Sequence, residues 1–481
     1  MSDNEIKRSV SSSSSFTKII NSWGHQSGLA LKNVAGSYIS YISYCIIQKK
    51  NGNHLFILPE KEQALYFFND LENLFSNERG ITLLFYPASY RRPYQIMNSD
   101  PTSILQRTEA MDSLDKNRKT LIVITYPEAI IEKVIDKKKL KENSLSIAVG
   151  EELELDFINE LLIDLDFEKV DYVYEPGQFA IRGGIIDIFS YHHELPYRIE
   201  LFGDEIDSIR EFDPINQLSK TTLNRIKIIP NINNNQFAQN KVSFLEYLPK
   251  TTTIWGKDLD VAQKKIIQGF EISNKVYEKI INKNNVLLPI EMYLSPHDFF
   301  TKINDYFLIE WNRLIDQNKA LKIDINSELQ PKFNKNFDLL VANLEKWKSQ
   351  EYTIYICSDQ DSQLTRLRSI FIDLEKESLC SFISIGLHQG FIDHNVKLIV
   401  FTDHQIFERY HRFQSKKSIS KAKETFTLKE IYDLQKGDFV VHIDYGIGEF
   451  SGLEKIEVKG KEQEAIRLIY KGGDILYVSI H

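Results

Sequence analysis

One stretch of the chain, residues 174–219, constrains the fold more strongly than any other part of the sequence. Apolar and polar side chains alternate over residues 197–202, which is the pattern of a half-buried β-strand. Glycines and a proline divide the stretch into segments of strand length. The pattern predicts a small antiparallel sheet with strands at residues 178–182, 185–190, 197–202 and 206–212.

The third predicted strand has two different faces. Alternation places Arg198, Glu200 and Phe202 on one face and apolar side chains on the other. Arginine beside an aromatic side chain is typical of protein-binding surfaces, so this face is a candidate recognition surface. A hairpin with solvated charges explains the same residues, and the pattern alone favours that simpler interpretation.

A resemblance to a known family rests on the segment PGQFAIRGGIIDIF and on the segment PYRIELFGDEIDSIREFD that follows it. Together they resemble the second domain of the transcription-repair coupling factors, which also occurs in the excision-repair protein UvrB. The resemblance implies that residues 144–230 form a module that binds UvrA. It also implies that Arg182, Arg198 and Phe202 contact UvrA, because these residues match the family's contact positions in type.

Strand-like and helix-like segments alternate on both sides of this module. Residues 81–86 and 121–125 have the pattern of buried strands, and residues 61–75 have the apolar spacing of a helix. Alternation of this kind predicts crossover connections and a largely parallel sheet. The resemblance implies that residues 21–143 and 231–335 form one UvrB-like α/β body, in which the UvrA-binding module is an insertion.

A parallel sheet often carries a nucleotide, and related motor proteins have the phosphate-binding pattern GxxxxGK[ST] where this chain has residues 33–39. This segment has one glycine, no lysine after it, and the bulky Tyr38 and Ile39 where backbone should approach phosphate. Asp187 and the acidic side chains of the segment 204–207 would coordinate Mg·ATP only opposite a phosphate loop. The sequence therefore predicts no catalytic residue, cofactor or metal site, and a cryptic nucleotide hydrolase built on residues 33–39 is an alternative.

A second resemblance rests on the segment LQKGDFVVHIDYGIGEFSGL and on the later segment GGDILYVS. Short strands interrupted by glycines predict a small, strongly bent sheet of barrel type. These segments resemble the Tudor-like domain with which the same family and the CarD regulators bind RNA polymerase. The resemblance implies β-augmentation with the polymerase β subunit through Ile456, with Leu453 and Lys455 beside it. The alternative is that Ile456 is a core residue of the barrel.

The remaining segments complete a fold of the multidomain α/β and α+β class. The predicted parts are a flexible leader at residues 1–20, the UvrB-like α/β body at 21–143 and 231–335, the inserted antiparallel β module at 144–230, a compact α/β domain at 336–413, a linker at 414–427 and the small Tudor-like β-barrel at 428–481.

Composition limits the classes of function. A net charge of −8 and only short basic runs argue against a chain whose main task is to grip duplex DNA. No apolar run approaches the roughly 20 residues of a membrane span, and the N-terminus lacks the apolar core of a signal peptide. The three cysteines are widely spaced, which fits a reducing compartment and no zinc site. The sequence therefore predicts a cytoplasmic protein whose partners are mainly proteins.

The sequence stops at His481, where the resemblance implies that motor domains with sites for ATP and Mg should follow. We therefore expect the N-terminal adaptor part of a coupling factor in transcription-coupled nucleotide-excision repair. It is expected to bind stalled RNA polymerase and recruit UvrA, while ATP-dependent translocation and most contact with DNA belong to the parent's motor domains. No enzyme activity is expected of this chain itself. A CarD-like transcription regulator without a repair role is the other alternative.

Overall fold

The computed structural model describes the chain except for residues 1–2, 25–27, 90–93, 95–100, 116–118, 233–240, 281–285, 313–319, 334, 410–433, 443–444, 459–460 and 480–481, and except for the side chains of residues 101, 115, 456–458, 461–464 and 479. The chain divides into two compact units, Met1–Phe413 and Gln414–His481. The helices are α1 (Asn4–Ser12), α2 (Ser14–Ser22), α3 (Tyr38–Lys49), α4 (Lys61–Leu74), α5 (Pro101–Asp115), α6 (Pro127–Ile130), α7 (Lys137–Glu142), α8 (Leu155–Asp164), α9 (Leu259–Lys279), α10 (Pro289–Met292), α11 (Pro296–Ile303), α12 (Phe337–Ser349), α13 (Asp361–Asp373) and α14 (Asp403–Ile406).

The strands belong to five sheets. In chain order they are β1 (Gly28–Lys32), β2 (Gly52–Ile57), β3 (Ile81–Phe85), β4 (Thr120–Thr125), β5 (Leu145–Ala148), β6 (Glu168–Lys169), β7 (Gln178–Arg182), β8 (Ile185–Ile188), β9 (Tyr197–Phe202), β10 (Glu205–Phe212), β11 (Ser219–Leu223), β12 (Arg225–Ile228), β13 (Thr253–Lys257), β14 (Phe307–Trp311), β15 (Leu321–Asp324), β16 (Ser327–Leu329), β17 (Thr353–Ser358), β18 (Ser381–Ser384), β19 (Phe391–Asp393), β20 (Leu398–Thr402), β21 (Phe439–His442), β22 (Gly446–Val458), β23 (Lys461–Ile469) and β24 (Ile475–Ser479).

The largest sheet has seven strands in the order β15-β1-β14-β13-β2-β4-β3, and neighbouring strands are parallel. Helices such as α3, α4 and α9 connect successive strands, because a parallel pair needs a crossover connection. The aromatic side chains of Phe56, Trp255 and Trp311 are buried in this layer. The predicted parallel α/β sheet is therefore confirmed. Within the described residues, none of the helices is long and apolar enough to cross a membrane.

The first twenty residues differ from the prediction of a flexible leader. Residues 4–12 and 14–22 form α1 and α2, in which Ile6, Val10, Phe16 and Ile19 are buried. These residues are four and three positions apart, so each pair lies on one face of its helix. The Ser13 hydroxyl also accepts a hydrogen bond of 3.1 Å from the Phe16 amide and caps α2. The leader prediction is wrong because tertiary burial outweighs the weak helix propensity of the serine run.

The chain leaves the large sheet after β4 and returns to it at β13. Between them, six strands form a sheet in the order β11-β10-β9-β8-β7-β6, which is antiparallel except for the short parallel pair β6–β7. The four strands predicted from alternation are β7 to β10 of this sheet. A separate antiparallel pair flanks this sheet in sequence, since β5 precedes β6 and β12 follows β11.

A third sheet of five strands, in the order β16-β19-β20-β17-β18, completes the first unit. Helices α12 and α13 cover a core that includes Leu340, Ile356, Leu367 and Phe371. Its edge strand β16 begins at Ser327, before the predicted limit of this domain at residue 336. The loop at residues 386–390 of this layer contacts the start of α3, where the Ser37 amide donates to the Gln389 carbonyl at 3.1 Å.

The second unit contains a four-stranded antiparallel sheet in the order β21-β22-β23-β24. The predicted small C-terminal β domain is therefore confirmed, whereas its closure into a Tudor-like barrel stays a prediction. The predicted linker at residues 414–427 lies outside the described residues.

Candidate protein-binding surfaces

The three residues predicted to bind UvrA lie on one sheet, that of β6 to β11. Arg182 ends β7, while Arg198 and Phe202 lie on β9. A two-residue turn follows Phe202, and Gly203 occupies it with a φ of +66°, a conformation that favours glycine. Phe202 therefore stands at the tip of a tight hairpin and is 84% exposed. Such exposure of a large aromatic side chain marks a candidate contact surface.

Both arginines donate to one buried carboxylate, that of Asp187 on β8. The strand register places Asp187 directly opposite Arg198. Arg198 donates from Nε to Oδ1 at 2.7 Å and from Nη2 to Oδ2 at 2.9 Å, so this pair is bidentate. Arg182 donates from Nη2 to the same Oδ2. Bidentate charge-assisted bonds fix a guanidinium group in direction as well as in position.

Further contacts hold both arginines, and Arg182 Nη1 donates to the Asp171 carbonyl. The guanidinium group of Arg198 lies 4.4 Å from the centre of the Phe212 ring and donates to the Gln217 carbonyl at 3.2 Å. Hydrogen bonding to Asp187 raises the pKa of Arg198 above its ordinary value, so this arginine stays charged. The Arg198 side chain is 17% exposed and the Arg182 side chain 35% exposed. Arg182 and Phe202 therefore present more surface to a partner than Arg198 does.

Several neighbours of these arginines were not predicted from the sequence. In the sequence, Asp187 stands out only as part of a possible magnesium-binding pattern. The ring of Tyr172 lies 5.0 Å from the guanidinium carbon of Arg182. Ile215 and Leu218, on the turn between β10 and β11, are 79% and 66% exposed and flank the residue that accepts from Arg198. The position of Asp187 opposite Arg198 follows from the register of β8 and β9, which alternation in the sequence does not fix.

The segment considered for a phosphate loop, residues 33–39, follows β1 directly and uses its amides within the protein. Three of them donate to protein acceptors: Val34 N to Asn312 Oδ1 at 3.0 Å, Ala35 N to Ser327 Oγ at 2.9 Å and Ser37 N to the Gln389 carbonyl at 3.1 Å. A Cβ atom on Gly36 would lie 2.4 Å from the Gly390 carbonyl oxygen, so the backbone is already packed against protein. In this arrangement the loop has no free ring of amides for a phosphate.

Two further polar residues near this sheet, Asp204 and His192, also have structural roles. Asp204 lies in the turn after Phe202, and its carbonyl accepts from the Leu153 amide at 2.7 Å. His192 is buried, and its Nδ1 lies 2.8 Å from the Ser190 hydroxyl. Within the described ranges, no group of three or more His, Cys, Asp or Glu side chains could hold a metal ion.

The residues predicted to bind RNA polymerase lie on the long strand β22. Leu453 is half-buried and Lys455 is exposed. Ile456 pairs with Gln463 of β23, but its side chain lies outside the described residues. Strand β21 pairs with residues 446–449 of β22, and the Phe450 backbone hydrogen-bonds with Gly437 and Asp438 just before β21. In the described part of this unit, no strand pairs with the outer edge of residues 451–458, which is a suitable edge for strand addition.

The same sheet also exposes apolar side chains. Phe439 and Val441 on β21 are 76% and 77% exposed, and Ile447, opposite Val441 on β22, is 66% exposed. A sheet face with several exposed apolar side chains is uncommon on a monomeric protein and is typical of a binding surface.

Comparison with known proteins matches both surfaces to domain families. Residues 145–233 match the UvrB interaction domain, and residues 434–481 match the CarD-like/TRCF RID domain. The chain is therefore a protein that combines these two domains in this order, and the predicted family resemblance is confirmed.

Along almost its whole length the chain is similar to transcription-repair-coupling factors. It is 24% identical to that of Bacillus subtilis strain 168 over 552 residues, which covers 99% of this chain and 46% of the relative. It is also 24% identical to that of Staphylococcus aureus strain bovine RF122 / ET3-1 over 510 residues, covering 89% of this chain and 42% of the relative. The chain thus spans less than half the length of these relatives.

Proposed function

We propose that this chain is an adaptor region of a transcription-repair coupling factor that acts in transcription-coupled nucleotide-excision repair. Its UvrB interaction domain recruits UvrA, and its CarD-like domain binds the β subunit of a stalled RNA polymerase. ATP-dependent translocation and most contact with DNA are assigned to motor domains of a longer parent protein, where ATP and Mg would bind. The similarity to coupling factors over 99% of the chain supports this assignment.

We further propose that residues 21–143 and 231–335 form a UvrB-like body interrupted by the module at 144–230. The seven strands of the parallel sheet support this division, because they lie between residues 28 and 125 or between residues 253 and 324. The proposed Tudor-like barrel at residues 428–481 is supported by the four-stranded antiparallel order.

One observation carries the proposal for UvrA. Phe202 is 84% exposed at a hairpin tip, on the same sheet as two ordered arginines, in a domain that matches the UvrB interaction family. Interface hot spots are enriched in aromatic residues and arginine and are surrounded by contacts that exclude water. A rigid hairpin presents such an anchor with little loss of conformational entropy on binding.

The test is the affinity of the full chain for purified UvrA. Phe202→Ala should weaken binding by at least about thirtyfold, which corresponds to about 2 kcal/mol. Phe157→Ala is the matched control, because Phe157 is 55% exposed on α8 of the same domain. Wild-type chain that does not bind UvrA, or a Phe202→Ala chain that binds as tightly as wild type, would contradict the proposal.

The unpaired edge of β22 supports the proposal for RNA polymerase. Ile456→Glu should weaken binding of the full chain to the purified polymerase β subunit by at least about tenfold, because a charge replaces the apolar contact beside the added strand. The two variants control for each other: Phe202→Ala should leave polymerase affinity unchanged, and Ile456→Glu should leave UvrA affinity unchanged. Polymerase binding without UvrA binding would instead favour a CarD-like transcription regulator.

A further inference from the structure

The carboxylate of Asp187 lies at the centre of the candidate UvrA-binding surface but is not part of its exposed area. Asp187 is fully buried on β8. Its two oxygens accept from both arginines, Arg198 through Oδ1 and Oδ2 and Arg182 through Oδ2. A partner protein therefore meets the guanidinium groups while their common anchor lies beneath them.

An arginine pays a large entropic cost when it becomes ordered, because its long side chain has several rotatable bonds. A guanidinium group that is already held by a bidentate carboxylate loses less freedom when a partner binds, so the affinity is higher. The Phe212 ring below Arg198 and the Tyr172 ring beside Arg182 restrict the two groups further. The surface is thus pre-organised by side chains that a partner need not touch.

We propose that Asp187 is a positioning residue for UvrA binding: its buried carboxylate holds Arg182 and Arg198 in the arrangement that the partner contacts. This inference rests on the proposed function of the surface. It assigns Asp187 a role through the arginines, with no direct contact to UvrA. It also predicts that an uncharged residue of the same shape cannot replace it, because the amide of asparagine directs N–H groups toward a guanidinium group.

The test compares affinities of full-chain variants for purified UvrA. Asp187→Asn should weaken binding by about tenfold or more, and Asp187→Glu should give an intermediate affinity because it keeps the charge. Asp112→Asn is the matched control, since Asp112 is a buried carboxylate that pairs with Lys227 at 2.8 Å elsewhere in the same unit. This control should bind UvrA like wild type. Thermal unfolding of each variant shows whether it is folded.

A double-mutant cycle separates positioning from a general structural role. In a chain that already carries Arg182→Ala and Arg198→Ala, the additional change Asp187→Asn should alter the affinity by less than about twofold, because its effect acts through the missing arginines. A purely structural defect would weaken binding in both backgrounds.

The outcomes distinguish this inference from the function on which it rests. If Phe202→Ala and Arg198→Ala bind UvrA like wild type, the proposed function fails. If these two lose affinity while folded Asp187→Asn binds as tightly as wild type or more tightly, the positioning role is overturned. If Asp187→Asn does not fold, Asp187→Glu decides, and unchanged affinity in that variant overturns the inference.

Discussion

Two arginine–carboxylate groups in this chain have the same kind of charged hydrogen bond but different surroundings. One is the pair of Arg107 and Glu132. The other joins Asp187 to Arg182 and Arg198. Arg107 and Glu132 are both buried, and Arg107 Nη1 lies 3.2 Å from Glu132 Oε2. Each group also has an aromatic ring below a guanidinium carbon, at 4.3 Å for Arg107 on Tyr86 and at 4.4 Å for Arg198 on Phe212. The two groups differ in what lies on the outer side of the arginines.

Arg107 is enclosed by protein. It donates to the carbonyls of Pro87 at 2.8 Å and Ala129 at 3.1 Å, so it ties the segment after β3 and the helix α6 to α5. Arg182 and Arg198 remain partly exposed above a fully buried carboxylate. An ion pair that is enclosed by protein stabilises a local arrangement of the fold. An ion pair whose arginines are partly exposed presents ordered guanidinium groups to a partner.

The largest effect is expected from Arg107→Ala. Removal of the arginine takes away the ion-pair partner that lies 3.2 Å from the buried Glu132 carboxylate, and the more distant charge of Lys241 is what remains. Loss of one partner of a buried ion pair costs about 3–5 kcal/mol in the free energy of unfolding. Burial already raises the pKa of Glu132, although Arg107 opposes this rise. Chemical denaturation of the full chain measures the change. Arg210→Ala is the control, because its pair with Glu200 is about one-third exposed and should contribute at most about 1 kcal/mol. Equal losses of unfolding free energy in the two variants would show that the enclosed Arg107 pair stabilises the fold no more than an exposed pair does.

Arg198→Ala should have the opposite pattern of effects. The Asp187 carboxylate keeps Arg182 as a partner, so the loss of unfolding free energy should be smaller than for Arg107→Ala. Affinity for UvrA should fall by about thirtyfold, or about 2 kcal/mol, because an ordered hot-spot arginine is removed. Denaturation and UvrA titration of the same preparation measure both quantities. A variant that loses stability but keeps full affinity for UvrA would show that Arg198, like Arg107, stabilises the fold and does not contact the partner.

Asp70 extends the comparison to a buried carboxyl group that is held by neutral donors. The Ser40 hydroxyl donates to it at 3.0 Å and the His388 amide at 2.8 Å. Burial raises the pKa of Asp70 to about 7, while these hydrogen bonds oppose the rise. Because the folded pKa lies above the ordinary value, the stabilisation is complete below about pH 4 and is lost as the pH rises through about 7.

The loss between about pH 6 and about pH 8 should be about 1 kcal/mol of unfolding free energy. Denaturation curves at the two pH values measure it. Asp70→Asn should remove this part of the pH dependence, because the amide does not titrate. A pH dependence that is the same in wild type and in Asp70→Asn would assign it to other groups.

The sequence predicted local features of the β7–β10 sheet well and contacts between distant segments poorly. Alternation along β9 and the glycine after Phe202 are local signals, so the hairpin and its exposed face could be inferred from them. The partnership of Asp187 with Arg198 depends on the register of two strands, which alternation alone does not fix. The burial of Ile6 and Val10 depends on distant segments of the chain, and the serine run therefore predicted a leader instead of helices. The candidate surface could be predicted from the sequence, but the buried Asp187 carboxylate that holds its two arginines could not.

The smallest expected effect tests how far the open surface extends beyond the two arginines. Ile215→Ser should weaken UvrA binding by about 1 kcal/mol, because Ile215 is 79% exposed next to the turn that holds Arg198. The unfolding free energy should change by less than about 0.5 kcal/mol, as for other exposed sites. Ile272→Ser on α9 is the matched control, since Ile272 is 50% exposed outside this domain. Equal affinities of the two variants would restrict the surface to Phe202 and the arginines that Asp187 holds.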